Sequence, residues 1–297
     1  MDRRNFIANT TFMIPAVFSV DSIFKLFVDN PWKIQMLNKT TGIFTEKGGT
    51  ILFKLTKVGI VVIDSQFPDQ ADHLIAEVKK ISNRPFELLI HTHHHGDHTS
   101  GSIKFKGLVN RVLAHENSKT NQVTVAQKNN NEDKQLYPTQ TYSNTWSEKI
   151  GNDRFSLHYF GAGHTNGDSL IHLEKDHIVH MGDLLFNRRH PFVDRSAGAR
   201  MNNWIKVLDQ ALATFPSKTT YIFGHSGEKY PVTGNAADLT AFKNYIDAVL
   251  QYVKTQIDKG VSKEELLKTT EIPGAPAWTG DGISRPLTAA YEELTMK

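Results

Sequence analysis

The stretch Leu88–Ser102, LLIHTHHHGDHTSGS, is the most informative part of the chain. It contains five histidines and one aspartate, and the apolar residues at its start predict a buried β-strand. Imidazole and carboxylate groups placed this closely need a cation between them, and the chain has no cysteine to supply sulfur ligands. Nitrogen and oxygen ligands of this kind favour zinc, with iron or manganese as less favoured alternatives.

Within this stretch, the register His93-x-His95-x-Asp97-His98 is suited to binding metal. Residues two apart at the end of an extended strand point the same way, so His93 and His95 can bind one cation. Asp97 and His98 lie on the turn that follows and can face a second position. The register therefore predicts half of a metal site, whose remaining ligands must come from elsewhere in the chain.

The overall composition is ordinary for a globular protein and names no function, so the small-molecule substrate that we expect follows from the motifs described below. Of 297 residues, 39% are hydrophobic and 22% are charged. The net charge is only +3, and no basic run is longer than two residues. These values argue against nucleic-acid binding and against a polybasic membrane patch. The composition does not indicate the oligomeric state. The lack of cysteine excludes disulfides and thiolate chemistry.

Strand-like and helix-like segments alternate on both sides of the histidine-rich stretch, which indicates an α/β fold. The run GIVVIDS at Gly59–Ser65 predicts a strand buried on both faces, and Pro68–Ile81 has apolar residues at helical spacing. Phe86–Ile90 is another apolar strand, and it ends at the histidines. The carboxyl end of such a strand is the usual place for chemistry in α/β proteins.

The second half of the chain shows a similar alternation. Strands are predicted at residues 146–150, 154–160, 169–173, 177–181 and 220–223. We expect Asn203 to cap one helix, Asn235 to precede the longest one and a last helix to begin near Pro286. Asn117–Asn144 is rich in polar residues without a sustained apolar period, so we expect a surface excursion with at most a short helix.

Three more turn motifs each follow a predicted apolar strand: Gly163-His164-Thr165, Gly182-Asp183 and Gly224-His225. Together with the H-x-H-x-D-H register, and in this order, they resemble the ligand pattern of the metallo-β-lactamase superfamily. The resemblance covers about residues 42–227. It implies a four-layer αβ/βα sandwich, which we expect to form one catalytic domain over residues 21–297.

The same resemblance implies two metal ions, expected to be zinc, at the edges of two sheets. The implied ligands of the first ion are His93, His95 and His164. Those of the second ion are Asp97, His98 and His225, and Asp183 would bridge both ions. Two zinc ions that share a water lower its pKa and present hydroxide as a nucleophile. We expect Asp97 to orient this hydroxide and later to pass on its proton.

The remaining residues around these motifs have other expected roles. We expect neither His91 nor His94 to bind metal, because a register that starts at His91 places a histidine where the pattern needs aspartate. Asp64 ends a buried strand beside the motif, so its carboxylate is expected to orient the ligand loop from outside. The motif glycines are expected to permit the turns that bring each ligand inward: Gly163, Gly182 and Gly224.

The run FNRRHPFVD that follows Asp183 is the candidate substrate-binding segment. Arg188, Arg189 and His190 would line the mouth of the site there and meet an anionic substrate. A solvated charged loop without a role in binding is the competing interpretation of the same residues.

Three chemistries are compatible with the pattern. The first is a two-zinc hydrolase of a small ester, lactone, thioester or amide, and the second is a β-lactamase. Asp183 argues against the second, because β-lactamases with this motif and no cysteine usually lack a bridging aspartate there. The third is an iron-dependent oxidoreductase of the persulfide dioxygenase type, in which His93, His164 and Asp183 would bind one iron.

The N-terminal segment, residues 1–20, differs from the rest of the chain. The pair Arg3-Arg4 precedes a moderately apolar stretch that ends near Val20, which resembles a bacterial twin-arginine export signal. This pattern predicts a periplasmic or otherwise exported protein. An N-terminal tail of a cytoplasmic protein is the alternative, and the segment is too interrupted by polar residues to predict stable membrane insertion.

Overall fold

Two β-sheets face each other in the computed structural model, and helices cover the outer side of each sheet. The structure describes residues 30–296, so the predicted export signal at residues 1–20 lies outside the described residues. The layers follow one another as helix, sheet, sheet and helix. The predicted αβ/βα sandwich is therefore confirmed.

The first sheet has seven strands, which pair in chain order from β1 to β7. Their bounds are β1 Lys33–Met36, β2 Thr41–Thr45, β3 Ile51–Leu55, β4 Ile60–Ile63, β5 Phe86–Ile90, β6 Val109–His115 and β7 Gln140–Tyr142. Strands β1 to β4 pair antiparallel, and β4 to β7 pair parallel. Because β4 and β5 are parallel neighbours, Asp64 and His91 follow them at the same edge of the sheet.

The second sheet has six strands in the order β15-β13-β11-β10-β9-β8. Their bounds are β8 Thr145–Ile150, β9 Asp153–His158, β10 Leu170–Leu173, β11 Ile178–His180, β13 Thr220–Ile222 and β15 Thr233–Gly234. A short parallel pair, β12 Phe186–Asn187 and β14 His225–Ser226, follows the ends of β11 and β13. The predicted motifs at Asp183 and His225 thus lie beyond the carboxyl ends of two parallel neighbours.

Seven α-helices complete the described part of the chain. They are α1 Pro68–Ile81, α2 Gly96–Thr99, α3 Glu116–Lys128, α4 Met201–Thr214, α5 Ala236–Asp258, α6 Lys263–Leu266 and α7 Ser284–Thr295. The longest, α5, begins after Asn235 as predicted, and Asn235 forms a reciprocal capping box with Asp238. None of the helices within residues 30–296 combines the length and apolar character needed to cross a membrane.

The segment Asn117–Asn144 is mostly exposed or partly exposed, as expected of a surface excursion, but the expectation of at most a short helix was wrong. This segment contains most of α3, a short 3-10 helix and the parallel strand β7. The inner face of α3 is formed by Ser118, Gln122 and Ala126, which are buried but small or polar. A helix with such a face has no apolar period for a sequence pattern to detect.

The prediction that Asn203 caps a helix was also wrong, because α4 begins earlier, at Met201. The free N–H groups of its first turn are satisfied from a distance: the Glu293 carboxylate of α7 accepts from Met201 and Asn202 at 2.7 and 2.9 Å. Asn203 instead donates from its side chain to the carbonyl of Ala162 at 2.8 Å. A capping contact between elements so far apart in sequence leaves no local signal.

Three hydrophobic clusters hold the layers together. One lies between the two sheets, one between the first sheet and α1, and the largest between the second sheet and the helices α4, α5 and α7. Trp204 of α4 and Phe242 of α5 are fully buried in the largest cluster. The Trp204 indole N–H also donates to the carbonyl of Leu184 at 3.0 Å, next to Asp183. This packing fixes the position of the loop that carries Asp183.

His180 connects the two sheets at the end of β11. Its Nε2–H donates to the Thr50 carbonyl at 3.0 Å, and its Nδ1 accepts from the Gly182 N–H at 3.1 Å. The ring is fully buried, and this burial lowers the pKa of His180 below its ordinary value of 6.5. Protonation would place a hydrogen on the nitrogen that accepts from Gly182, so the fold requires the neutral ring.

This buried ring predicts a pH dependence of stability. Because burial lowers the pKa of His180 in the folded chain, the unfolded chain binds a proton at His180 more readily than the folded chain does. The stability that the neutral ring contributes above pH 6.5 is therefore lost as the pH falls. Glutamine retains one donor and one acceptor but does not titrate. We expect His180→Gln to reduce the slope of unfolding free energy against pH by up to about 1.4 kcal/mol per pH unit between about pH 6 and pH 5. Urea unfolding of metal-free protein measures this slope, and parallel curves for the two proteins would contradict the assignment.

Candidate metal centre

The histidine-rich loop begins where β5 ends and is fixed by Asp64, the residue that follows β4. Asp64 has a left-handed backbone, with φ of 63°, which turns its carboxylate toward the loop. It accepts from the N–H and the hydroxyl of Thr92, both at 2.8 Å, and from Nδ1–H of His98 at 2.7 Å. His95 then precedes the short helix α2, which carries Asp97 and His98. The loop is therefore held at both ends of its ligand motif.

Three histidines from two loops bring one nitrogen each to a common point. His95 Nδ1 lies 3.1 Å from His93 Nε2 and 2.9 Å from His164 Nε2. His93 and His164 are buried, whereas His95 lies partly open toward solvent. Three imidazole nitrogens that converge in this way are typical of a zinc ligand set.

A second group lies beside the first and combines Asp97, His98 and His225. The ligand atoms of these three residues all lie within 4.8 Å of one another, and Asp97 Oδ2 is 3.1 Å from His225 Nε2. His98 is fully buried, while the Asp97 side chain is 31% exposed. Asp97 is thus the most exposed member of this group.

The Asp183 carboxylate lies between the two groups. Its Oδ2 is 3.5 Å from His164 Nε2 and 3.4 Å from His225 Nε2, and its Oδ1 is 3.0 Å from His98 Nε2. The side chain is only 4% exposed, so water does not compensate its charge. The structure therefore brings all seven predicted ligands into two adjoining groups that share one buried carboxylate.

The ring nitrogens that point away from the two groups have fixed partners. His95 Nε2–H donates to Asp194 Oδ2 at 2.8 Å, and His164 Nδ1–H donates to the Phe192 carbonyl at 2.9 Å. His93 Nδ1 lies 3.0 Å from the Thr92 hydroxyl. Such outer partners set the tautomer and orient each ring, so that the other nitrogen faces the centre with a free lone pair.

The donor atoms fit bound divalent metal better than they fit hydrogen bonds to one another. His98 Nε2 and Asp183 Oδ1 are buried, and neither has a hydrogen-bond partner of good geometry within the described residues. Buried polar atoms are rarely left unpaired in this way, since each costs free energy. Imidazole nitrogen with carboxylate oxygen is the ligand chemistry of zinc and, less specifically, of iron or manganese.

Burial and the nearby carboxylates affect the two groups differently. Burial lowers the pKa of His164 to about 3 and that of His93 well below its ordinary value, so both rings are neutral near pH 7. Burial also opposes protonation of His225, but Asp183 and Asp97 together outweigh burial and raise the pKa of His225 to about 9. The pKa of His98 is also raised well above its ordinary value against the effect of burial, and the Asp183 carboxylate contributes most to this increase. A cation bound at the second group would therefore displace protons.

Comparison with known proteins agrees with this arrangement. Residues 55–225 match the family model described as the metallo-beta-lactamase superfamily, which is more than half of the chain. The chain belongs to this superfamily. It is therefore an enzyme of a family of metal-dependent hydrolases, and its ligand motifs lie within the matched residues or at their edge.

Individual members of the superfamily resemble the chain at low identity. A metallo-beta-lactamase type 2 from Elizabethkingia meningoseptica is 24% identical over 229 residues, which cover 77% of this chain and 85% of the relative. A solved metallo-beta-lactamase from Pontibacter korlensis aligns with a TM-score of 0.62 and 18% identity, over 73% of this chain and 99% of that one. The sec-alkylsulfatase Pisa1 from Pseudomonas sp. aligns with a TM-score of 0.71 and 12% identity, over 88% of this chain and 50% of that one. The solved structures support the shared fold alone.

A cavity of about 320 Å³ opens onto the metal centre. Its walls include the ligands Asp97, Asp183 and His225, together with Arg189 and His190 from the predicted substrate-binding segment. Arg188 lies elsewhere: its guanidinium stacks over Trp278, 4.9 Å from the ring centroid, and 3.5 Å from Asp238 Oδ1. Its backbone is left-handed, with a φ of 55°. Arg188 does not line the cavity at the metal centre, and its role in substrate binding stays a prediction.

The two histidines that the register excluded lie beside the centre. His91 Nε2 bonds the Ser102 hydroxyl at 2.8 Å in the interior, away from the two groups. His94 Nε2 lies 3.7 Å from Asp194 Oδ2, and His94, His95 and Asp194 could together hold a cation geometrically. The much shorter bond from His95 to the same Asp194 oxygen favours an orienting role for that carboxylate.

The motif glycines serve the site in two different ways. Gly182 has a φ of 51°, so the expectation of a turn that favours glycine holds there. Gly163 and Gly224 lie in bends without a positive φ, so the expected turns are present there but do not depend on a left-handed backbone. A Cβ atom at Gly163 would lie 2.6 Å from the Leu184 side chain, and one at Gly224 would overlap the Asp183 carboxylate. These two positions need glycine for space.

Three contributors to the site have no counterpart in the sequence motifs. Asp194 orients His95, Phe192 lines the cavity through an exposed ring, and Arg285 reaches the same cavity from α7. Asp194 and Phe192 belong to the same loop as Arg189. The sequence predicted this loop as the substrate-binding segment but did not single out these two residues. Nothing near Arg285 in the sequence marks it, because only the packing of the last helix brings it to the site.

Proposed function

We propose that this enzyme is a two-zinc hydrolase that cleaves a small ester, lactone, thioester or amide. The position of the Asp183 carboxylate between two complete ligand groups carries the proposal. The second group includes the buried Nε2 of His98, which has no hydrogen-bond partner of good geometry within the described residues and which a second cation would satisfy.

Each ligand residue has a distinct part in the proposed mechanism. His93, His95 and His164 would hold the first zinc, Asp97, His98 and His225 the second, and Asp183 both. Zinc bound in this way activates water as a nucleophile near neutral pH and polarises the bond to be cleaved.

The chain itself would orient and exclude water. The exposed carboxylate of Asp97 faces the cavity, where it can orient the attacking water and pass a proton to the leaving group. Phe186 and Phe192 give the cavity an apolar side that excludes bulk water from the reacting atoms.

A hydrolysis panel with the zinc-loaded protein tests this proposal. The panel would contain a 4-nitrophenyl ester, a homoserine lactone, a glutathione thioester, a phosphodiester and a chromogenic cephalosporin. We expect cleavage of at least one of the first three, lost on chelation and restored by zinc. Cleavage that survives complete removal of metal would contradict the proposed mechanism.

A β-lactamase is the second candidate, because two relatives that match the chain over 229 and 206 residues are named metallo-beta-lactamases. Their identities of 24% and 26% do not carry the substrate over to this chain. Cleavage of the cephalosporin at a rate above that of every ester, lactone and thioester would favour this candidate. An iron-dependent oxidoreductase would instead show one iron per chain and oxygen consumption with a persulfide.

Asp194 is expected to strengthen metal binding through His95. Replacing it with alanine removes the acceptor of the His95 Nε2–H, so this ring can rotate and change tautomer. We expect Asp194→Ala to weaken zinc binding at the first group by about tenfold to a hundredfold. Competition with a zinc-binding dye measures the affinity, and Asp258→Ala on the exposed side of α5 is the control. Equal affinities in wild type and Asp194→Ala would show that the contact does not matter.

We further propose that residues 1–20 direct export and that residues 21–297 form one catalytic domain. The proposal rests on the Arg3-Arg4 pair and the apolar stretch after it, which resemble a twin-arginine signal. Expression in a bacterial host, with fractionation of periplasm and cytoplasm, tests it directly. Replacement of both arginines by lysine should retain the protein in the cytoplasm, and unchanged fractionation would contradict a twin-arginine route.

A further inference from the structure

The cavity above the metal centre contains two arginines that the proposed hydrolysis does not use. Arg189 follows β12, and Arg285 lies in the first turn of α7. Both line the same cavity of about 320 Å³ as Asp97 and His225, and both side chains are exposed. Two distant parts of the chain therefore place guanidinium groups around one opening.

These guanidinium groups have no carboxylate partner within the described residues. The arginines that form ion pairs in this part of the chain are Arg111, Arg188 and Arg195. The carboxylates of the cavity itself, Asp97 and Asp183, each lie within 3.1 Å of a ligand histidine and belong to the proposed metal site. Among residues 30–296, no other carboxylate lines this cavity to balance the two arginines.

The other polar side chain at this opening is already engaged. His190 is buried, and its Nδ1 bonds the Tyr245 hydroxyl at 2.7 Å. Burial lowers the pKa of His190, which favours its neutral form. Arg189 and Arg285 are therefore the two cationic side chains that line this cavity outside the proposed metal ligands.

An apolar surface lies next to the two arginines. The Phe192 side chain is 43% exposed, although most large apolar side chains of the protein are buried. Its ring centroid lies 5.5 Å from that of His95 and 6.2 Å from that of His164. Exposed aromatic surface beside a reactive centre is typical of a ligand contact.

We propose that the substrate carries an oxyanion group, which Arg189 and Arg285 bind, and an apolar portion that packs on Phe192. This inference rests on the proposed function and names the class of substrate for the same site. A guanidinium group donates two parallel hydrogen bonds to a carboxylate, sulfonate or phosphate, so this charge would fix the substrate relative to the metals. The scissile bond would then lie between the anionic end and the metal centre.

Binding of uncleaved analogues tests the inference apart from catalysis. Three short alkyl chains with a 4-nitrophenyl group joined by a carbon–carbon bond at one end, and therefore without an ester or amide to hydrolyse, would be titrated calorimetrically into zinc-loaded protein. The other end of the chain would be a carboxylate, a sulfonate or an uncharged carboxamide. We expect the two anions to bind wild type about tenfold to a hundredfold more tightly than the carboxamide. Equal affinities for the carboxylate and the sulfonate would indicate that the site recognises charge. A higher affinity for one of them would identify the oxyanion that the substrate carries.

Variants locate the recognition. Arg189→Gln and Arg285→Gln should each lose most of the preference for the anions while binding of the carboxamide changes less than about twofold. Arg285→Lys should be intermediate, because it keeps the charge but loses the two-pronged donor. Arg84→Gln, an exposed arginine at the opposite end of the first sheet, is the matched control.

The outcomes separate this inference from the proposed hydrolysis. Equal binding of all three analogues, no binding of the anions, or a preference unchanged in the double variant Arg189→Gln/Arg285→Gln would overturn the inference. In the last case the metal ions themselves would account for the attraction. Matched 4-nitrophenyl esters test the hydrolysis, and zinc-dependent cleavage without a charge preference would refute only the substrate class.

Discussion

Replacement of Asp183 by asparagine is expected to lower kcat/KM by about a thousandfold. Replacing a group that only orients a metal ligand typically lowers activity or metal affinity tenfold to a hundredfold. Loss of the charge shared by both ligand groups should lower activity further. Asparagine preserves the size of the side chain but removes the negative charge that His98 and His225 share. We expect the zinc content to fall from about two per chain to one or fewer.

The fold of Asp183→Asn should survive, since Trp204 and the core around the Asp183 loop are unchanged. Circular dichroism and gel filtration check this, and activity and zinc content are measured on the same sample. Asp209→Asn removes a charge from the exposed surface of α4 and should change neither quantity. Wild-type activity in Asp183→Asn would show that this carboxylate is not a ligand.

Replacement of Gly224 by alanine is expected to abolish binding at the second group through steric overlap alone. The added Cβ would overlap Asp183 Oδ1 and lie 2.8 Å from the Gly182 carbonyl oxygen. The backbone cannot move aside, because Gly224 donates to Gly182 at 2.8 Å and accepts from Thr50 at 2.9 Å. We expect a loss of activity of at least about a hundredfold and about one zinc per chain, measured on folded protein.

A second glycine separates this effect from general destabilisation. Gly107 has a φ of 78°, and a Cβ atom there would meet no other atom within 4 Å. Gly107→Ala should therefore cost about 1 to 2 kcal/mol of stability, through backbone strain, and leave activity unchanged. If both alanine variants lose stability and activity in the same proportion, the steric account of Gly224 is incorrect.

The ligand motifs were visible in the sequence because metal binding requires particular residue types at strand ends. His93, His95 and Asp97 follow one apolar strand, so the alternation of the backbone and the turn after it could be inferred from spacing. Asp183 and His225 each follow a further strand in a turn that contains glycine. Their convergence depended on the resemblance to a known pattern, since local sequence does not say which strand ends meet.

The parts that escaped prediction depend on contacts between distant segments. Helix α3 buries Ser118 and Gln122 and so lacks an apolar stripe, and α4 is capped by Glu293 from the last helix. Arg285 joins the cavity only through the packing of α7. The need for glycine at position 224 is also a property of the folded site, because the atom that excludes a side chain belongs to Asp183.

Metal analysis of the purified protein tests the central claim most directly. After zinc loading and removal of loosely bound ions, elemental analysis combined with anomalous diffraction gives the number, identity and position of the bound metals. The account predicts two zinc ions per chain, on either side of the Asp183 carboxylate, with one contacting His93, His95 and His164. A single iron, a metal bound elsewhere, or no tightly bound metal in an active enzyme would contradict it.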